Sequence, residues 1–226
     1  ASDVYKRQAA ATALSQYQSA AVKAGQGMVT QAELLSAQEK AEAAQAAIQT
    51  NEKEMDALRR ELCVMTGWSY DARPDIQEIV VPDSGEVDSI DLAADKERAK
   101  TTNYTQAANE RRLKYTGVGN QYDVMERKVE SGRRQIEADV EAKYKLLKQA
   151  QADYDQTRGE LELAVRNAQA AERRYSLGTI SRNEYLQQRD GLASKQSSND
   201  VAGLRFRQAM EDYRWAVNGL AQTEGA

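Results

Sequence analysis

The sequence predicts an all-α protein built from long antiparallel coiled-coil helical hairpins, able to fold as an elongated four-helix bundle. Three observations carry this. The apolar residues repeat in heptads over long stretches, the only two prolines, Pro74 and Pro82, fall in one short region, and one corner motif occurs twice, 151 residues apart. Composition agrees: hydrophobic residues are 41%, charged residues 29% and mean hydropathy is -0.76, which suits amphipathic helices better than a thick globular core.

Absences narrow the chemistry. The chain has no histidine and a single cysteine, Cys63, so it offers no Ser-His-Asp or Cys-His pair, no His-containing metal site and no internal disulfide. A net charge of -4 with acids and bases interleaved gives no basic stripe for nucleic acid. No run approaches the roughly 18 apolar residues of a membrane-spanning helix. The expectation is a binding or structural role, with no catalytic residue, no cofactor and no metal.

The segments read as follows. Residues 1–8, with Ser2-Asp3-Val4-Tyr5-Lys6-Arg7-Gln8, resemble an artefactual sequence end and are expected to be a non-native leader. Residues 9–66 form a first hairpin whose incoming helix is truncated. Its second helix runs from Gln31 to Thr66, with Leu34, Ala41, Ile48, Met55 and Leu62 in one row and Ala37, Ala44, Leu58 and Met65 in the other. The prolines make 67–88 a linker, with Ile76 to Val81 as a candidate extended strand. Residues 89–221 form a second helical segment, and 222–226 a tail. Within it Asp88 or Ser89 caps a helix over Leu92 to Tyr115, and Gly117 and Gly119 mark a turn. A helix from about Tyr122 to Leu177 follows, with Val140, Leu147, Tyr154, Leu161, Ala168 and Tyr175 as its core row. The last helix spans Asn183 to about Leu220 on Tyr185, Leu192, Phe206, Tyr213 and Leu220. Polar residues interrupt these seams at Asn51, Lys143, Thr157, Gln188, Lys195 and Asn199; they either face solvent or fix register. Cys63 is expected to be a small seam-flanking residue, Trp68 and Trp215 packing anchors, and the Arg-Arg pairs solvated or salt-bridged.

The duplicated corner is the candidate site. Gly27-Met28-Val29-Thr30-Gln31-Ala32-Glu33-Leu34-Leu35 recurs as Gly178-Thr179-Ile180-Ser181-Arg182-Asn183-Glu184-Tyr185-Leu186. Gly27 and Gly178 supply the positive φ that stops a helix. Thr30 and Ser181 are N-caps, and Glu33 and Glu184, three residues on, complete capping boxes. Val29 with Leu34, and Ile180 with Tyr185, are hydrophobic staples. Each copy therefore turns one helix into the next through a tight tip.

At these residues the chain resembles the TolC-like family of outer-membrane efflux channels, whose hairpin tips read Tyr-x-x-Gly-x-x-[Ser/Thr]-x-x-[Asp/Glu]-x-Leu. Tyr175 to Leu186 matches throughout; the first copy has Ala24 in place of the tyrosine. Gly117-Val118-Gly119-Asn120 stands where the family has its second strand pair, and no segment shows the alternation of a membrane β-strand. The resemblance implies a TolC-like α-barrel topology and a transport component of an envelope export system in the periplasm and outer membrane. It implies a homotrimer in the full-length family, although this fragment could be monomeric. The partners it implies are a periplasmic adaptor (membrane fusion) protein and, through it, an inner-membrane pump. Gly27, Met28, Val29, Thr30, Glu33, Gly178, Thr179, Ile180, Ser181 and Glu184 would form the adaptor-docking tips. The alternative is a coiled-coil scaffold or adaptor-type protein without channel activity.

Overall fold

A computed structural model describes residues 2–77 and 80–222. The described residues form seven α-helices and no strand: α1 (Ser2–Gly25), α2 (Gln31–Thr66), α3 (Ser84–Asp88), α4 (Leu92–Thr102), α5 (Tyr104–Tyr115), α6 (Asn120–Ser176) and α7 (Arg182–Trp215), the last running into a π-helical turn, Ala216–Leu220. The candidate strand is not formed by Ile76, Gln77, Val80 or Val81; Glu78 and Ile79 lie outside the described residues, as do 223–226 of the tail. The chain divides into two compact units, Ala1–Glu78 with Thr157–Asp200, and Ile79–Gln156 with Val201–Ala226, so α6 and α7 each contribute to both.

In the first unit, polar residues set the register of the helix pairs. Residues 2–8, expected as a non-native leader, are the start of α1, and there Lys6 Nζ donates to Asn51 Oδ1 at 2.7 Å and Arg7 pairs with Glu52 at 2.8 Å, with α1 antiparallel to α2. Thr157 and Asn199 meet at 3.4 Å, and Lys195 reaches Glu160 at 2.6 Å, aligning α6 with α7. Asn51 is only 7% exposed, so this interruption of the seam is a register pin inside it. The two hairpins touch where Thr12 Oγ1 donates to Asp190 Oδ1 at 3.1 Å, with Gln8 beside it.

The α2 seam departs from its heptad at the far end. A straight α-helix drifts about 20° per heptad against a seven-residue repeat. Leu34, Ala37, Ala41, Ala44 and Ile48 are half-buried, but Met55, Leu58 and Met65 are exposed. Burial moves instead to Cys63, whose thiol donates to the Ala72 carbonyl, which Arg59 also bonds. Trp68 and Trp215, expected as anchors, stand 53% and 58% exposed. Trp68 lies just beyond the end of α2 and Trp215 is the last residue of α7.

The second unit holds the main hydrophobic core. Ile136, Val140 and Leu147 of α6 interlock with Phe206, Met210 and Tyr213 of α7, and with Val87, Ala99 and Val217. Tyr154 stacks on Phe206, ring centres 5.9 Å apart. The expected helix over Leu92 to Tyr115 starts on Asp91, not Asp88 or Ser89, because Asp91 Oδ1 accepts from the N–H groups of both Ala93 and Ala94. It also breaks in two at Asn103. That residue is extended (φ -68, ψ 118), caps α5 by accepting from Gln106 N, and donates to the carbonyls of Gly219 and Ala221. The linker contains α3, capped by Asp83. Leu220, placed in the core by its heptad, is 64% exposed because Gly219 (φ 109) turns the chain out of helix just before it.

Candidate functional site

Both corners form as the local chemistry dictates, and they form alike. Gly27 and Gly178 each adopt φ 69, a left-handed conformation that side chains with a Cβ rarely take. At the first corner Gly27 N–H donates to Ala24 O at 3.0 Å and Met28 N–H to Lys23 O at 2.9 Å. At the second, Gly178 donates to Tyr175 O at 2.9 Å and Thr179 to Arg174 O at 2.8 Å. These pairs are full Schellman motifs, which satisfy the last carbonyls of α1 and α6.

The following helices start equally firmly. Thr30 Oγ1 accepts from Glu33 N at 3.2 Å, and Glu33 Oε2 accepts from Thr30 N at 2.7 Å. Ser181 Oγ accepts from Glu184 N at 3.2 Å, and Glu184 Oε2 accepts from Ser181 N at 2.8 Å. The bond from the Thr30 backbone holds the Glu33 carboxyl below its usual pKa, and the Ser181 backbone does the same for Glu184. Val29, Leu34, Ile180 and Tyr185 are half-buried, as staple residues must be. Met28, at the first tip, stands 71% exposed, and Thr179 at the second is also exposed. All ten candidate residues thus lie in the two turns and the first helical turns that follow.

Beside each corner lies a groove, and the two grooves correspond. One of about 390 Å³ is bordered by Gln16, Glu33, Ser36 and Lys40; the other, of about 440 Å³, by Asn167, Arg174, Glu184 and Gln187. Gln16, Glu33 and Ser36 become Asn167, Glu184 and Gln187 under the 151-residue offset that relates the corners. The repeat therefore extends from the turns to the surface next to them.

Two features of the site escaped sequence reasoning. Tyr175 and Tyr185 stack nearly parallel across the second corner, 4.9 Å between centres and 5° between planes, with the Arg189 guanidinium 5.9 Å from the Tyr185 ring. Their place on opposite sides of one tight turn was the available signal. The Thr12–Asp190 contact lies about 22 Å from Gly27 along α1 and about 14 Å from Ser181 along α7, at 1.5 Å per residue. Burial raises the Asp190 carboxyl pKa, against the hydrogen bonds from Thr12 and Gln8. Nothing in the sequence pattern marked this pairing.

Among the described residues no cluster of His, Cys, Asp or Glu could hold a metal ion, and no helix is long and apolar enough to cross a membrane. What the corners offer is shape: stiff, polar-edged turns with exposed tip residues. No family model matches the sequence, and no curated protein matches it. Among solved structures the chain is similar to the CmeC outer membrane channel of Campylobacter jejuni, with a TM-score of 0.57 at 13% identity; the match covers 99% of this chain and 60% of that one. The chain thus spans about three fifths of the channel it matches, and it has the all-α, TolC-like helical-hairpin fold that its paired corners imply.

Proposed function

We propose that the chain is the helical-hairpin portion of an envelope export component of the tripartite efflux type. Its hairpins line the wall of a conduit, and its two corners dock a periplasmic adaptor protein that links to an inner-membrane pump. The action is passive: no bond is made or broken, and the energy comes from the pump. Assembly as a homotrimer and location in the periplasm and outer membrane belong to the same reading.

The observation that carries it is the equivalence of the corners. Two turns with the same glycine φ, the same Schellman bonds and the same capping boxes present exposed tips and matching grooves. Isolated helical hairpins need a stop and a start, but they do not need the same one twice with a groove at the corresponding place beside it. A photo-crosslinking amino acid at Met28 or Thr179, in cells expressing the chain with an adaptor and pump from its own genome, tests the docking. The expected product is a crosslink to the helical hairpin of the adaptor from both positions. Crosslinks confined to other surfaces of other proteins would favour a scaffold without a conduit.

A further inference from the structure

The turn between α5 and α6 sets an apolar tip among cations. Thr116 closes α5: its N–H donates to Leu113 O at 3.1 Å and its Oγ1 to Arg112 O at 2.8 Å. Gly119 opens α6, its carbonyl accepting from Tyr122 N at 2.8 Å and from Asp123 N at 3.3 Å. Gly117 and Val118 therefore stand out between two fixed helix ends. Val118 is fully exposed, Tyr115 is 83% exposed, and Val124, one turn into α6, is 61% exposed. At about 100° per residue, Arg111, Arg112, Lys114 and Tyr115 share roughly 160° of the circumference of α5, on the side away from half-buried Leu113. Arg111, Arg112 and Lys114 have no ion-pair partner among the described residues, whereas Arg133 and Arg134 of α6 are matched by Glu110 and Glu130. From Arg111 to Lys128 five basic residues stand against two acidic ones, Asp123 and Glu126, in a chain whose net charge is -4.

We propose that this tip docks on an anionic lipid surface. Val118 and Tyr115 enter the headgroup boundary, and Arg111, Arg112 and Lys114 meet the lipid phosphates. Cations in a last helical turn also complement the carbonyl end of α5. That role needs no bare tyrosine and valine ahead of them, whereas a lipid surface uses both. A tyrosine presents an apolar body with a polar end, which suits the boundary between headgroups and acyl chains. Each Arg or Lys near an anionic surface adds attraction, and stable association takes the apolar and the basic signal together. A protein partner fits less well, because a convex two-residue tip falls far below the roughly 800 Å² per partner of a stable complex.

The test needs no adaptor, so it stands apart from the export reading. The full chain is floated with vesicles of phosphatidylcholine alone, or with one lipid in three replaced by phosphatidylglycerol. The expected result is binding to the anionic vesicles that fades as salt is raised. Arg111→Gln, Arg112→Gln and Lys114→Gln together should weaken it about a hundredfold. Tyr115→Ser with Val118→Ser should weaken it about tenfold at every salt concentration. All the changed side chains are exposed, so circular dichroism should show unchanged helix in both variants. Removing three exposed cations elsewhere, at Lys53, Arg173 and Arg205, should matter less than about threefold. No binding to anionic vesicles, equal binding to both kinds, or binding untouched by either tip variant overturns the proposal. So does a photo-crosslinker at Val118 that captures protein and no lipid in cells, since that assigns the tip to a protein surface.

Discussion

The same substitution at two glycines of one helix should have opposite signs. Gly132 and Gly159 both lie inside α6, where glycine costs about 1 kcal/mol relative to alanine. At Gly159 an added Cβ meets nothing within 4 Å, so Gly159→Ala should recover most of that, about 0.5–1 kcal/mol. Gly132 is different. An added Cβ there would intrude on Oε1 of Gln106, a fully buried side chain of α5. Gln106 cannot retreat freely, because its Nε2 donates to Val129 O at 3.0 Å and to Glu110 Oε1 at 3.2 Å. Overpacking costs about 1–3 kcal/mol and a strained hydrogen bond about 1 more, which outweighs the gain in helix propensity. Gly132→Ala should therefore destabilise by about 1–3 kcal/mol. For a chain of this size, that is a fall of about 2–4 °C in Tm per kcal/mol, against a small rise for Gly159→Ala. Urea unfolding followed by circular dichroism at 222 nm measures both. In a Gln106→Ala background the penalty at Gly132 should vanish, a coupling of the size expected for touching residues. Equal stabilisation by both alanines, or no coupling to Gln106, would refute the close approach of α5 to α6.

Other consequences are as direct. Thr30→Ala and Ser181→Ala should each cost about 1 kcal/mol, and an unchanged Tm in both would mean the caps do not act as caps. Asn103→Ala removes a cap and two donated hydrogen bonds at a residue 3% exposed, so it should cost about 2–3 kcal/mol. Asn103→Asp keeps the cap and should restore only part, with faster hydrogen exchange around 216–221 in both variants. The α4–α6 contact should be acid-labile. The hydrogen bond from Lys145, then that from Lys96, holds the Glu141 carboxyl down to about 2, and Lys100 lowers that of Glu137. A lowered carboxyl contributes fully above the usual value of 4.5 and fades as the pH falls towards 2. Stability should therefore depend less steeply on pH across that window in Glu141→Gln; an unaltered profile would show that the pair contributes nothing.

How much of this could be read beforehand followed the range of the interactions. The corners were readable because their bonds close within about six residues: glycine φ, cap and box are local chemistry. The same holds for α2, found from Gln31 to Thr66 as its cap Thr30 and its left-handed Gly67 require. The break at Asn103 was missed because its decisive partners, Gly219 and Ala221, lie 116 and 118 residues away. Its local trace, Asn103 three residues before Gln106, sat inside an uninterrupted helical pattern. The exposed Met55, Leu58 and Met65 show a second limit. A heptad names a stripe on the helix, but only a neighbour decides whether the stripe is covered. The division into two units was also beyond local reading, since each is assembled from stretches far apart in sequence.

The corners share their backbone chemistry, yet they should not open equally. Only the second has the Tyr175–Tyr185 stack, at 4.9 Å and 5°, with Arg189 over one ring; the first has Ala24 and Leu34 at the equivalent places. An aromatic pair adds about 0.5–1.5 kcal/mol beyond its buried area, and both rings must part before the turn unwinds. Local opening at the second corner should thus be about 2- to 13-fold rarer than at the first, by RT ln K. Hydrogen exchange at the Schellman and capping amides reads this directly, comparing Gly27, Met28 and Glu33 with Gly178, Thr179 and Glu184. Tyr175→Ala should bring the second corner to the rate of the first. Placing tyrosines at Ala24 and Leu34 together should slow the first. Equal exchange at the two wild-type corners would show that the stack adds nothing, leaving the glycines and capping boxes alone to set the stiffness of both tips.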